Sequence, residues 1–241
     1  MMVKTRSIVL HSIKYGESKM IVDLFTQQHG RVSFIVSIPK TSKAKVKKQF
    51  FQPLSILEIE FDFRMNVPLQ RLKDVRLAVP FSSIPFDPFK LSIGMFVAEF
   101  LLYSTKSEQE NLPLYTYMEN SIAWLDGAEG TIANFHLIFM MQLSRFLGFF
   151  PNIDDYVQGE LFDLREGQFV EMTPVHRDFL DAAESAEILN LMRLNYHTMH
   201  LLKMSRIQRN RCAEVIIHYY RLHIPSFPEL KSFSILKELF V

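Results

Sequence analysis

A chain of 241 residues with 48% hydrophobic and 22% charged side chains and a formal net charge of +1 has the composition of a globular protein, which excludes a disordered or collagen-like polymer. The single cysteine, Cys212, excludes an intramolecular disulfide framework and a cysteine-based zinc site, and suits a reducing cytoplasm. The longest uncharged run, Gly130 to Ser144, is shorter than the roughly 20 residues of a membrane helix, and Met1 to Arg6 leads into a strand pattern with no apolar signal segment.

Residues 1–80 read as five strands: Val3 to Ile13, Met20 to Thr26, Arg31 to Ile38, Pro53 to Phe63 and Leu69 to Val79. Gly16 and the Gln27-Gln28-His29-Gly30 turn separate the first three as hairpins. Val32, Phe34, Val36 and Ile38 share one face of the third strand, and Leu57, Ile59, Phe61 and Phe63 share one face of the fourth, opposite Glu58, Glu60 and Asp62. Period two with one polar face means strands covering a single core. Five such strands, with the longest connection between the third and fourth, predict an OB-like barrel, and an SH3-like barrel would give nearly the same pattern.

That connection runs Pro39-Lys40-Thr41-Ser42-Lys43-Ala44-Lys45-Val46-Lys47-Lys48-Gln49, with five lysines and no acid. Like charges gathered in one loop call for a polyanion. Residues 1–80 hold 14 Lys+Arg against 6 Asp+Glu, a balance of +8, which leaves 13 against 20, or −7, for residues 81–241. A basic module followed by an acidic one fits a two-domain protein whose first part meets nucleic acid. Lys40, Lys43, Lys45, Lys47 and Lys48 are the expected phosphate contacts, with Arg31 on the adjoining strand and Lys14 and Lys19 around the first turn. Tyr15 and Phe34 are aromatic candidates for base stacking, although Phe34 lies on the apolar face.

From Pro80 the pattern changes to a Pro-punctuated loop and then to helical spacing, so the expected domains are 1–80 and 81–241. Phe89 to Lys106 and Thr131 to Phe150 are apolar on nearly every side, as buried helices are, while Pro113 to Leu125 and Ala186 to Lys203 are more amphipathic. Arg209 to His223 and Ser232 to Leu239 complete an all-α domain. It is interrupted by an insert, residues 152–172, in which Leu161 to Leu164 and Gln168 to Val170 flank Arg165-Glu166-Gly167 as a small β-hairpin. The expected fold class is therefore α+β.

Phosphate-binding Gly-rich loops, a Gly-x-Ser-x-Gly elbow and His-Glu-x-x-His are all missing, so the sequence offers no support for an enzyme. His197 and His200 stand three apart with no third ligand on a readable motif, and Glu58, Glu60 and Asp62 read as a solvated strand face. A site assembled from His11, Glu17 and His29 has no spacing to recommend it. The alternative to nucleic-acid binding is a protein-interaction scaffold whose lysine loop meets an acidic partner.

Ser7-Ile8-Val9-Leu10, Tyr15-Gly16-Glu17-Ser18, Leu24-Phe25-Thr26, His29-Gly30 and the basic Ser-Lys segment before Gln52-Pro53-Leu54 resemble the N-terminal barrel of the RecO family, bacterial recombination mediators in DNA repair. Phe146 to Asn152 resembles the helix end before that family's zinc-binding insert, and Ser232 to Leu236 its C-terminal helix, so the resemblance spans essentially the whole chain. Many relatives carry four cysteines after the Gly-Phe-x-Pro element. The equivalent segment here has none, so no zinc is expected and Leu161, Phe162, Phe169 and Val170 are the expected anchors of the insert. The resemblance implies a non-enzymatic cytoplasmic, nucleoid-associated protein. Such a protein binds single- and double-stranded DNA, anneals complementary strands and works with RecR to load RecA onto DNA coated by single-stranded-DNA-binding protein. It further implies a grip on the acidic tail of single-stranded-DNA-binding protein, for which His136, Arg145, Lys203 and Arg206 have the required cationic character.

Overall fold

The computed structural model describes residues 1–38, 46–154 and 156–239, so Lys40, Lys43 and Lys45 lie outside the described residues. Five strands, β1 (Met2–Tyr15), β2 (Lys19–Thr26), β3 (Gly30–Ser37), β4 (Ile56–Asp62) and β5 (Leu69–Val79), close a barrel in the order β1-β2-β3-β5-β4. The order is that of an OB-like barrel, and its closing seam pairs β3 and β5 in parallel. A register shift between Val9 and His11 bends the long first strand, so that it pairs with β2 on one side and β4 on the other. Phe34, Ile59 and Phe61 are fully buried in the barrel core.

The fourth strand begins at Ile56 rather than at Pro53, because Gln52 to Ser55 form a turn with Leu54 at φ 65°. Ahead of that turn a 3-10 segment, Lys48–Phe51, inserts Phe51 into the barrel core. Phe34, offered above as a stacking candidate, is core as well.

The strand pattern gives way to helices at residue 80, yet the first compact unit runs on through Gly127 and also takes in Leu230–Leu236. It therefore holds the barrel, α1 (Pro88–Ser104), α2 (Leu112–Gly127) and the start of α6 (Lys231–Leu239). Asp87 caps α1 by accepting from the Phe89 and Lys90 amides, with Pro88 in the first turn. The helix is not buried all round: Leu91 and Met95 are exposed. Arg6 of β1 pairs with Glu119 of α2 at 2.7 Å, and Glu99 of α1 accepts from the Lys231 and Ser232 amides, capping α6 from a neighbouring helix.

Asp126, near the end of α2, gathers the segment that follows the barrel. Its carboxylate accepts from the backbone amides of Ser82, Ser83 and Ile84 at 2.8–2.9 Å, while the buried Lys90 donates to the Asp126 carbonyl at 3.0 Å. Burial alone would raise the carboxyl pKa, but the three amide donors outweigh it and hold it at about 2. Asp126→Ala is expected to cost this unit about 2–3 kcal/mol, read as a lower urea midpoint in the fluorescence of the single tryptophan, Trp124. Because the folded pKa is depressed, the carboxylate's contribution is present above about pH 4 and is lost as pH falls towards 2.

The second unit, residues 128–229 with Lys237–Val241, contains α3 (Phe135–Leu147), strands β6 (Leu161–Asp163), β7 (Gln168–Val170) and β8 (Phe179–Leu180), α4 (Ala182–Arg193) and α5 (Arg206–His223). Gly148 ends α3 at φ 85°, three residues earlier than Pro151. The run Ala186 to Lys203 is not one helix. Its helix begins earlier, capped by Asp181, and stops at Arg193, where the Asn195 side chain accepts from the His197 and Thr198 amides and turns the chain. His197 and His200 thus lie in that turn and in a short 3-10 segment.

The insert is a three-stranded sheet in the order β7-β6-β8, the two-residue β8 extending the expected hairpin. Phe162 is buried and packs on Phe169 and Tyr219, while Leu164 is a buried anchor the sequence reading did not name. Asp178 accepts from Arg165 at 2.6 Å and pairs with His218 of α5 at 2.9 Å. These two contacts, His218 first, hold its carboxyl below the usual range. Residues 152–172 contain neither Cys nor His, and the Asp163 carboxylate is engaged by the Arg165 and Glu166 amides and by His176. These residues do not fit a zinc ion, and among the described residues no cluster of three or more metal-ligating side chains occurs.

Candidate nucleic-acid interface

The closing seam of the barrel is short: β3 and β5 pair only from Ser33–Leu69 to Ile35–Arg71. Beyond those three pairs the strands part, leaving adjoining clefts of about 550, 390 and 640 Å³. Two of them share Arg71, Leu72 and Lys73, and two share Arg64, Val67 and Gln70, so they form one groove along β5. Its cations are Lys19, Arg31, Arg64, Arg71, Lys73 and Lys106, against Asp62 and Asp74.

A register shift sets the placement on β5: Leu72 pairs with Phe61 and Asp74 with Glu60, so Lys73 is skipped and the inward side passes from Gln70 and Leu72 to Val75. Arg71 and Lys73 are both exposed. Lys73 pairs with Asp62 at 2.8 Å, and its hydrogen bond, with the charges of Lys73, the N-terminus and Arg64, holds the Asp62 carboxyl below the usual range. Lys19, Arg64, Arg71 and Lys106 are exposed and have no ion-pair partner among the described residues. A groove with that many uncompensated cations can neutralise phosphates without reading bases.

The residues singled out in the sequence fall into three groups. Lys19 lines the groove, as does Val46, the first residue of the lysine segment that is described, while Lys14, Lys47 and Lys48 are exposed. Arg31 lines the groove too, but its guanidinium is committed: it donates to the Leu102 carbonyl at 2.8 Å and lies 3.6 Å from Asp23. It ties β3 to α1 and is not a free phosphate contact. Arg64, Arg71, Lys73 and Lys106 went unnamed in the sequence, where strict alternation sets Arg71 and Lys73 on the same face as the buried Val75.

Of the cations expected to grip an acidic tail, Arg145 is exposed and lies 3.5 Å over the Phe150 ring. Lys203 is exposed, and Arg206 approaches Glu238 at 3.5 Å. His136 is 2% exposed inside α3. Burial, assisted by the charge of Arg209, pushes its pKa down to about 3, so it is a neutral core residue and not a cation. The trio considered for catalysis is not preassembled either: His11 faces Asp23 at 3.7 Å, His29 stacks on Phe63, and Glu17 is exposed in the first turn.

Among the described residues no helix is long and apolar enough to cross a membrane. The family model described as "Recombination protein O N terminal" matches residues 1–81, and "Recombination protein O C terminal" matches residues 85–232. Along its full length the chain is 49% identical to the DNA repair protein RecO of Phocaeicola vulgatus, with 100% of both chains covered. The identity is 48% to the protein of that name from Bacteroides fragilis and 35% to that from Flavobacterium psychrophilum, again with 100% of both chains covered.

Proposed function

The chain belongs to the RecO family of DNA repair proteins, and from that premise we propose that it captures DNA in the basic groove of its barrel and acts as a recombination mediator. The groove of uncompensated cations along β5 is the observation that carries this reading. Val46 of the lysine segment lines the groove with Lys19, and Lys47 and Lys48 follow it as exposed cations; Lys40, Lys43 and Lys45, outside the described residues, join them as phosphate contacts on the strength of their charge in the sequence. Two single strands repel each other, and a basic surface that holds both lowers the barrier to annealing without reading sequence. In this role the protein binds single- and double-stranded DNA in the cytoplasm at the nucleoid. With RecR it loads RecA onto DNA coated by single-stranded-DNA-binding protein, whose acidic tail is gripped by the helical unit. Arg145, Lys203 and Arg206 are the cations left for that grip once His136 is removed, with Arg206 shared with Glu238.

Fluorescence anisotropy with a labelled oligonucleotide over a range of salt tests the groove. Changing Lys19, Arg71 and Lys73 together to Ala is expected to weaken binding and to make the slope of log affinity against log salt shallower by about 2, from roughly 0.7 per lost phosphate contact on a single strand. The same slope in the variant and the wild type would remove the groove from the interface. No binding by the wild type at low salt would favour the protein-interaction scaffold instead.

A further inference from the structure

Charge alone gives the groove no means of telling single-stranded from double-stranded DNA, but one end of it carries more than charge. His29, from the β2–β3 turn, and Phe63, just after β4, stack with ring centroids 4.4 Å apart and planes 8° from parallel. Both line the cleft together with Arg64, Met65 and Lys106. The fully buried Phe61 supports the pair edge-on, at 6.3 Å from Phe63 and 6.2 Å from His29.

The loop beside this pair is built to hold still. Gln70, buried in β5, turns its side-chain amide onto the loop backbone, accepting from the Arg64 amide at 3.2 Å and donating to the Arg64 and Val67 carbonyls at 2.9 and 2.7 Å. Asn66 takes a left-handed φ of 64° at the tip, and Met65 is 79% exposed. A buried glutamine spent on three backbone bonds fixes a loop that would otherwise be ordered only on binding.

We propose that His29 and Phe63 form a base-stacking platform that receives an unpaired nucleobase, with the braced loop, residues 64–68, as its wall and the cations along β5 taking the flanking phosphates. The inference rests on the reading of the groove as a DNA site and adds its selectivity. A base in a duplex is already stacked between its neighbours, whereas an unpaired base is free to extend the aromatic pair. Stacking on an aromatic side chain has no sequence preference, since every base has a π-face.

The test compares wild-type protein with His29→Ala and with the double variant His29→Ala, Phe63→Leu, each titrated against a labelled oligothymidine and an abasic strand of the same length. Wild type is expected to bind the oligothymidine about tenfold more tightly than the abasic strand. That ratio should shrink several-fold in His29→Ala and approach one in the double variant, while the salt slope stays at the wild-type value. Leucine keeps an apolar group against Phe61, and the single variant stands alone if the double variant does not fold. Equal binding of the two strands by wild type overturns the platform and leaves the groove as a DNA site. An undiminished ratio in the folded double variant also overturns the platform. Failure of wild type to bind either strand overturns the reading of the groove and the platform with it.

Discussion

Gly30→Ala is expected to cost the first unit about 3–5 kcal/mol, since Gly30 is the glycine whose added Cβ would meet backbone atoms. Two effects combine. Gly30 sits at φ +59°, a left-handed conformation that costs an alanine about 1 kcal/mol. A Cβ there would also fall on the backbone of Glu108 and Gln109, closer than real Cβ atoms come. That segment cannot swing aside cheaply, because the Glu108 carbonyl accepts from the Arg31 amide at 3.3 Å. The turn itself is fixed by Thr26, whose hydroxyl donates to the Gly30 carbonyl at 3.0 Å. Gly16→Ala is the matched control: φ is +69° there, but nothing lies within 4 Å of the added Cβ, so only the conformational cost of about 1 kcal/mol remains. Urea titrations followed by Trp124, which belongs to this unit, separate the two. Equal midpoints for the two variants would show that the close approach of residues 108 and 109 contributes nothing.

The second unit is expected to weaken in mild acid through His136. Its folded pKa of about 3 lies below the ordinary value of 6.5, so the unfolded chain binds the proton more tightly than the folded one. Stability is therefore full above about pH 7 and declines as pH falls through 6.5, by up to about 1.4 kcal/mol per pH unit, until the folded pKa is reached. Between pH 7.5 and pH 5 the loss is about 2 kcal/mol, a window in which Asp178, held below the usual carboxylate range, does not titrate. Hydrogen exchange of the α3 and α5 amides at the two pH values reads this loss directly. His136→Gln should flatten the dependence at some cost in stability at pH 7.5, and an unchanged slope in the variant would place the acid sensitivity elsewhere.

The barrel was legible because alternation is a local signal: Val32, Phe34 and Val36, or Leu57, Ile59 and Phe61, declare their buried face without reference to any other strand. The same logic misplaces Arg71 and Lys73: period two sets them on the face of the buried Val75, and the register shift that skips Lys73 breaks that pattern. What alternation cannot show is where an outward side chain ends up. Arg31 looks like a surface cation until its guanidinium is found on the Leu102 carbonyl, a partner 71 residues away. His136 sits between Phe135 and Leu137 in a helix apolar on nearly every side, and that setting pointed to burial more strongly than its chemistry pointed to a cation. The break after Arg193 depended on one Asn side chain turning back on the backbone, and β8 is two residues long, below the length at which a period can be read.

The cap that Glu99 places on α6 has a consequence for synthesis. Leu230–Leu236 belong to the first unit, yet Ala128–Glu229, nearly all of the second unit, are translated between Gly127 and Leu230. At ~5–20 residues per second, the barrel and its two helices emerge from the ribosome on the order of ten seconds before the piece that completes them. During that interval Glu99 has no helix end to cap, and Phe96 lacks the Phe233 ring it packs against at 5.9 Å. The nascent first unit thus waits with an apolar face uncovered, and the natural moment for a chaperone to attend it is while the second unit is still being made.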